Sequence, residues 1–419
     1  MNTSDVLIVI GAGTAGAELA LAARLHGWAG DIVLFGNEAR LPYHRPPLSK
    51  AYLSGDADAG ALPLRAEAAY EKASVTLRTD MQVQSIDRAA RRVRLADGSE
   101  IAYTSLALCT GGRPRPLALD GFYASAPPPN LHYLRTQSDA DALRTRLAGG
   151  QRLAIVGGGY VGLEVAASAR KAGAKVVLIE SQPRVLARVT GPELSRFYEE
   201  IHAEAGVDIR TSCGIACAEC ASDRSITALV LSDDTRVEVD AVVAGIGMLP
   251  NIEIAAAAGL DVDGGILVDE FSRTSDPHIW AAGDCTVHDS ALYARRVRLE
   301  SVPNALEQGR AAALAICGKP RANLSVPWFW SDQFALKLQM AGLSQGYDDL
   351  IVRGSLAERS FVAFYLRDAR VIAADAVNRP AEFMMARKLV EAGIVASPEV
   401  LADTGVLLKS LLPLPTPSA

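Results

Sequence analysis

The feature that most restricts what this chain can fold into is a glycine pattern that occurs twice in one register. Gly11, Gly13, Gly16, Ala20 and Gly27 recur as Gly157, Gly159, Gly162, Ala166 and Gly173, 146 residues further on. Each copy follows a short apolar run and leads into a helical pattern: residues 6–10 and 14–24 flank the first, residues 153–156 and a pattern through Lys171 flank the second. A single G-x-G-x-x-G is weak evidence, because many matches are plain turns. Chance does not hold five positions in register. In a strand-turn-helix unit of this kind the first glycine permits a tight turn, the second lets backbone approach a pyrophosphate, and the third lets helix and strand pack closely. The helix N-terminus adds free N–H groups and a positive dipole end. The repeat therefore predicts two dinucleotide sites, in a chain whose 419 residues suffice for three domains.

The segments around each turn extend this reading. In the second unit a β-branched run ends in Glu180, eighteen residues past Gly162, where a carboxylate accepts a ribose hydroxyl. SQPRVLARVT follows, with Arg184 and Arg188 available to a phosphate. In the first unit the second strand, residues 32–35, ends at Gly36, Asn37 and Glu38, so Asn37 or Glu38 is the corresponding acceptor. Residues 41–53, LPYHRPPLSKAYL, form an extended rail as far as Leu48, because Pro42, Pro46 and Pro47 fix φ and oppose helix. Arg45 and Lys50 on that rail suit a phosphate or a flavin, or else a basic surface loop.

Residues 75–108 read as short strands with a hairpin turn at Asp97-Gly98, before a buried strand enters Gly111-Gly112-Arg113-Pro114. Residues 240–251, DAVVAGIGMLPN, echo that exit and close the second unit. A strand running into Gly283-Asp284 places a carboxylate at the C-terminal edge of an α/β sheet, where ligands sit. Residues 301–315 read as a long helix. From Pro327 the pattern turns to alternating aromatic and β-branched runs, predicting an antiparallel third domain with a helix near residues 381–392. The tail PLPTPSA reads as disordered.

Composition narrows the class. Forty-two basic against 48 acidic residues, a net charge of −6, argues against a nucleic-acid binder. Residues 1–10 run into the first glycine turn without a basic leader, and no apolar run is long enough to span a bilayer, so a cytoplasmic location is expected. Six scattered cysteines suit a reducing compartment without structural disulfides. Cys213, Cys217 and Cys220 have a spacing that can bind iron, but they follow a strand-like stretch far from either turn and read as small thiols, with no metal expected.

Together the first glycine motif, YHRPPLSKAYL, TGGRPRPL, YLRT, GGGYVGLEVAA, GIGMLPN, AAGDC, ESVPNALEQ and PWFWSDQ follow the order found in one family. Over almost its whole length the chain resembles the putidaredoxin-reductase-like ferredoxin reductases, FAD-dependent and NADH-dependent enzymes that feed haem-thiolate monooxygenases and aromatic-ring dioxygenases. The resemblance implies a glutathione-reductase-like α/β fold: two Rossmann-type dinucleotide-binding domains plus a C-terminal α+β interface domain. An FAD domain (1–113 and 249–325) is interrupted by an NADH domain (114–248) and followed by the interface domain (326–419).

The resemblance also implies roles. Gly11, Gly13, Ala15 and Gly16 hold the FAD pyrophosphate, and Asn37 or Glu38 the adenosine end. Lys50 serves the flavin. Val83, Thr110, Gly111, Arg135, Gly283, Asp284 and Val302 complete the pocket, with Trp330 near the isoalloxazine. For NADH it implies Gly157, Gly159, Tyr160, Val161 and Gly162 on the pyrophosphate and Glu180 on the ribose, with Arg188 and Gly247 nearby and Glu164 close to the nicotinamide. A carboxylate at Glu180 repels a 2′-phosphate and favours NADH over NADPH.

Lys50, Glu164 and Trp330 are the residues expected at the chemistry, in which NADH reduces FAD and FAD passes single electrons to an acidic two-iron, two-sulfur ferredoxin. Lys50 favours an anionic reduced flavin by charge, and a partner in Glu164 offsets the cost of burying the ammonium. Arg295, Arg296, Arg298 and Arg310, with Lys337, are candidates for the docking surface, or a solvated basic loop. Residues 36–108 contain no cysteine, which excludes the cysteine-pair relay of disulfide reductases. A rubredoxin acceptor, and a redox-responsive flavoprotein like apoptosis-inducing factor, are the alternatives.

Overall fold

The computed structural model describes residues 4–122, 125–147 and 149–413. The expected disorder of the tail falls, from residue 414 on, outside these residues. The chain divides into two compact units: residues 1–44, 59–113 and 249–327 in one, residues 45–58, 114–248 and 328–419 in the other.

The first unit is built on a five-stranded parallel sheet, in the order Ile279–Ala281, Ser105–Leu108, Val6–Ile10, Asp31–Phe35, Val75–Arg78. Its central strands are almost wholly buried, as expected of apolar runs such as VLIVI and SLAL in a sheet covered on both faces. On one face the helices Thr14–Leu25 and Val302–Ile316 pack small alanines against Leu7, Val9, Ile32 and Leu34. On the other face Val83, Val93 and Leu95, from a three-stranded antiparallel sheet, cover Ile8, Ile10 and Leu108. That sheet contains the expected turn, where Gly98 adopts φ +84°.

The second unit repeats the plan, with a parallel sheet ordered Val207–Arg210, Lys175–Ile179, Arg152–Val156, Ala241–Ala244, Leu131–His132. The paired registers match: Val6 to Ile10 lie beside Asp31 to Phe35, and Arg152 to Val156 beside Lys175 to Ile179. The unit also contains the C-terminal five-stranded antiparallel sheet, running from Trp328–Gln333 at one edge to Asp349–Ser355 at the other, and the helix Pro380–Glu391. A single core joins these parts, with Leu163, Phe197 and Tyr198 packed in one cluster with Leu338, Phe361 and Val377.

The proline rail lies in this unit from Arg45 onward. It forms a 3-10 turn, Pro46–Ser49, and a short helix, Ala51–Ser54, rather than one helix starting at Leu48. It is tied in by a hydrogen bond from Ser168 Oγ to the Ser49 carbonyl (2.8 Å) and one from Gln137 Nε2 to Tyr52 Oη (3.0 Å). No helix among the described residues is long and apolar enough to cross a membrane.

Candidate functional site

Both glycine turns have the geometry of an anion cradle. Gly11 and Gly157 adopt φ +112° and +107°, and a Cβ on either would overlap the backbone of the neighbouring strand exit, at Cys109 and Gly245. Gly16 and Gly162 allow each helix to close on its own turn: a Cβ there would sit 2.0 Å from the carbonyl oxygen of Gly11 or Gly157. At Gly13 and Gly159 the opposite holds, since an added Cβ meets no atom within 4 Å. These are the N-caps of Thr14–Leu25 and Tyr160–Lys171, and neither helix has a side-chain cap or an acidic residue in its first turn. Two uncapped helix N-termini facing open space fit two pyrophosphates.

The first unit collects Gly11, Gly13, Ala15, Gly16, Asn37, Glu38, Val83, Thr110, Gly111, Gly283, Asp284 and Val302. Asn37 is exposed, whereas Glu38 is half-buried and accepts a hydrogen bond from Tyr43 Oη at 2.6 Å. Thr110 and Asn251 brace the strand exit by reciprocal bonds of 2.6 and 2.9 Å. Asn251 had no assigned role in the sequence, and its place in the GIGMLPN echo is the signal that points to it. Val302 is the first residue of its helix, and Asp284 is half-buried beside Gly283 at φ +92°.

The second unit collects Arg45, Lys50, Arg135, Gly157, Gly159, Tyr160, Val161, Gly162, Glu164, Glu180, Arg188, Gly247 and Trp330. Glu180 closes over the glycine turn: one carboxylate oxygen accepts from the Gly158 N–H at 2.7 Å, the other from the Gln182 N–H at 2.8 Å. Val161 and Arg188 are exposed, and the Tyr160 ring lies 5.2 Å from Phe329. Arg45 donates to the Arg135 carbonyl at 2.6 Å. Gly247 adopts φ +102° and its carbonyl accepts from the Arg115 N–H.

Lys50 Nζ lies 2.8 Å from Glu164 Oε2, and Glu164 is 3% exposed. Two serines complete the carboxylate: Ser49 Oγ donates to Oε2 at 2.5 Å and Ser331 Oγ to Oε1 at 2.6 Å. Neither serine was singled out in the sequence. Ser49 adjoins Lys50, but Ser331 is linked to Glu164 only through the fold. Successive strand residues point to opposite faces, so Trp330 and Ser331 diverge. Trp330 is half-buried, with its ring 5.7 Å from that of Trp328 and tilted by 34° to it.

Two expectations change. Arg184 is not available to a phosphate, because its guanidinium staples its own loop, donating to the carbonyls of Thr190 (2.9 Å) and Ala187 (3.1 Å) and to Ser195 Oγ (2.6 Å). Nor do the docking arginines form a bare basic patch. Arg296 pairs with Asp263 at 2.8 Å, Arg298 with Glu300, and Arg310 with Glu18 at 2.7 Å and Glu307 at 3.4 Å. Arg295 lies over the Tyr293 ring, and Lys337 is exposed in the other unit. Cys213 is buried, Cys217 and Cys220 are exposed, and no metal-binding group of His, Cys, Asp and Glu occurs among the described residues.

The loop after Glu180 ends on a buried carboxyl. Asp375 accepts from Tyr365 Oη at 2.7 Å and Thr190 Oγ1 at 3.0 Å. Burial pushes its pKa up to about 6 and outweighs these two bonds, which pull it down. The folded protein therefore keeps a proton that the unfolded chain gives up near pH 4. This stabilisation is full below that pH and is lost as pH rises through about 6, worth roughly 3 kcal/mol. Asp375→Asn, which keeps an acceptor without charge, should gain on the wild type in urea denaturation between pH 4.5 and 7.5. A constant difference across that range would exclude this titration.

Residues 5–309 match the pyridine nucleotide-disulphide oxidoreductase family, and residues 328–412 the reductase C-terminal family. The chain is 48% identical to putidaredoxin reductase CamA of Pseudomonas putida, over 98% of both chains. It is 45% identical to the probable ferredoxin reductase CtmF of Castellaniella defragrans, over 98% of this chain and all of that one. A solved covalent complex of putidaredoxin reductase with putidaredoxin superposes with a TM-score of 0.94, covering 98% of each chain. With two open glycine turns, a reductase C-terminal region and relatives matched along nearly its whole length, the chain belongs to the pyridine nucleotide-disulphide oxidoreductase family, among its putidaredoxin-reductase-like ferredoxin reductases.

Proposed function

We propose that the chain is an NADH-dependent ferredoxin reductase whose partner is an acidic two-iron, two-sulfur ferredoxin serving an oxygenase. The observation that carries this reading is the pair of uncapped, open glycine turns on two separate Rossmann-type sheets, in a chain without cysteine between residues 36 and 108. The relatives named above support it. Residues 1–113 and 249–325 are read as the FAD domain, 114–248 as the NADH domain and 326–419 as the interface domain.

When bound, FAD supplies the chemistry, accepting two electrons as a hydride from NADH and releasing them singly to the iron-sulfur partner. The chain's own residues bind and orient. The Gly13 and Gly159 turns offer N–H donors to the two pyrophosphates, and Asp284 and Thr110 lie at the strand ends of the first sheet. Lys50 holds a positive charge for the flavin, and Glu164 fixes that ammonium. Trp330, in the C-terminal domain, is the residue there that would serve the flavin. Docking at Arg295, Arg296, Arg298 and Arg310 requires Arg296, Arg298 and Arg310 to exchange their own carboxylates for those of the partner, and Arg295 to leave the Tyr293 ring. It should therefore weaken steeply with salt.

Glu180 sets the choice of nicotinamide nucleotide, because its carboxylate lies against the second glycine turn, where a 2′-phosphate would add like charge. Glu180→Ala is expected to narrow the NADH preference in kcat/KM by at least about tenfold. An unchanged NADH:NADPH ratio would remove Glu180 from this role.

Cytochrome c reduction with NADH tests the function as a whole. It should become rapid only when ferredoxin is added. A long-lived reduced-flavin complex with no ferredoxin-dependent turnover would favour the redox-responsive alternative.

A further inference from the structure

The Glu164 carboxylate is the end of a longer buried chain of polar groups. Ser331 Oγ, which donates to Glu164, is 3.1 Å from Gln333 Nε2. Gln333 Oε1 is in turn 2.9 Å from His202 Nε2, on the helix Pro192–Glu204. Ser331, Gln333 and His202 are all buried, at 1%, 1% and 0% exposure. Ser331 and Gln333, two apart on one strand, face the same side.

The direction of every bond follows from what each group can donate. An ionised carboxylate only accepts, so the single Ser331 hydroxyl proton is committed to Glu164. Ser331 must then accept, which turns the Gln333 amide nitrogen toward it and the Gln333 oxygen toward His202. His202 must carry its proton on Nε2. Its Nδ1 is buried without a partner among the described residues, and burial lowers the imidazole pKa, both in keeping with a neutral ring. Four residues thus form a one-way chain, with each donor aimed toward the carboxylate and each link polarising the next.

We infer that His202, Gln333 and Ser331 are positioning residues that keep Glu164 aimed at Lys50, a role that rests on the proposed part of the Lys50–Glu164 pair in flavin reduction. The alternative is that the chain merely satisfies buried polar groups. In that case the rate of reduction is indifferent to it.

Two measurements on the FAD-loaded protein test the proposal. Nitrogen-15 NMR of the His202 ring should show a neutral imidazole protonated at Nε2 and bare at Nδ1. The same ring should lose that signature in Gln333→Leu. A proton on Nδ1 in the wild type would overturn the chain, whatever the enzyme's function. In rapid mixing with NADH, Ser331→Ala should lower the limiting rate of flavin reduction about tenfold, the weight of one charge-assisted hydrogen bond. Half-saturation by NADH should stay within about twofold, and Ser331→Thr should restore the rate. A wild-type rate in Ser331→Ala, or a rise in half-saturation alone, would overturn the positioning role. If flavin reduction by NADH were absent in the wild type, the function reading would fail while the NMR result stood.

Discussion

Gly16→Ala is expected to yield a protein that does not retain flavin, and Gly162→Ala one that retains flavin but is not reduced by NADH. In both, the new methyl would lie 2.0 Å from a backbone carbonyl oxygen of the same turn, at Gly11 or Gly157. That oxygen belongs to a loop fixed by the parallel strands on either side, through the Gly11 N–H on the Phe35 carbonyl and the Gly157 N–H on the Ile179 carbonyl, each at 2.8 Å. The helix must back away from the turn, and its N–H groups leave the pyrophosphate. A displacement of about 1 Å costs on the order of a hundredfold in a positioned site. Flavin absorbance per protein after purification reads the first loss, and flavin bleaching on mixing with NADH reads the second. Circular dichroism separates either from unfolding. If Gly162→Ala lost its flavin while Gly16→Ala kept it, the assignment of the two sites would be reversed.

Lys50→Met should lower both stability and rate, and the two effects can be separated. Without Lys50, the Glu164 carboxylate is left in a site 3% exposed, with two serine hydroxyls and no cation at Oε2. Breaking one side of a buried ion pair costs about 3–5 kcal/mol. Lys50→Met with Glu164→Gln removes the stranded charge, so the double variant should regain much of that loss, with a coupling that a double-mutant cycle reads directly. The rate should not return with it. Flavin reduction should stay slowed on the order of a hundredfold, the usual scale for removing one charge that stabilises a transition state. Full recovery of the rate in the double variant would make the pair purely structural.

Much of the fold could be read because the decisive patterns are local. Residues 6–10 were expected as the first strand, and Val6–Ile10 is that strand. The helices expected at 14–24, 301–315 and 381–392 appear as Thr14–Leu25, Val302–Ile316 and Pro380–Glu391. The register of the glycine repeat reappears as matching strand pairing in two sheets. What escaped the sequence depends on side-chain contacts that no local pattern carries, whether across the fold or within one loop. Ser331 meets Glu164 across 167 positions, and no periodicity carries such a pairing. Arg184 has a phosphate-binding residue type in a suitable place, yet the turn of its loop presents three acceptors before any ligand could. Arg296 and Arg310 read as free basic residues in the sequence because Asp263 and Glu18 come from distant segments, whereas Glu300 and Glu307 stand close by in the chain to Arg298 and Arg310.

The central claim is that electrons enter from NADH and leave one at a time to an iron-sulfur protein. Anaerobic double mixing tests it most directly: the FAD-loaded protein is reduced with one equivalent of NADH, then mixed with excess oxidised two-iron, two-sulfur ferredoxin. Two ferredoxins reduced per NADH, with return of the oxidised flavin spectrum, is the predicted result. A flavin that bleaches with NADH and stays bleached in the presence of each member of a panel of such ferredoxins would contradict it.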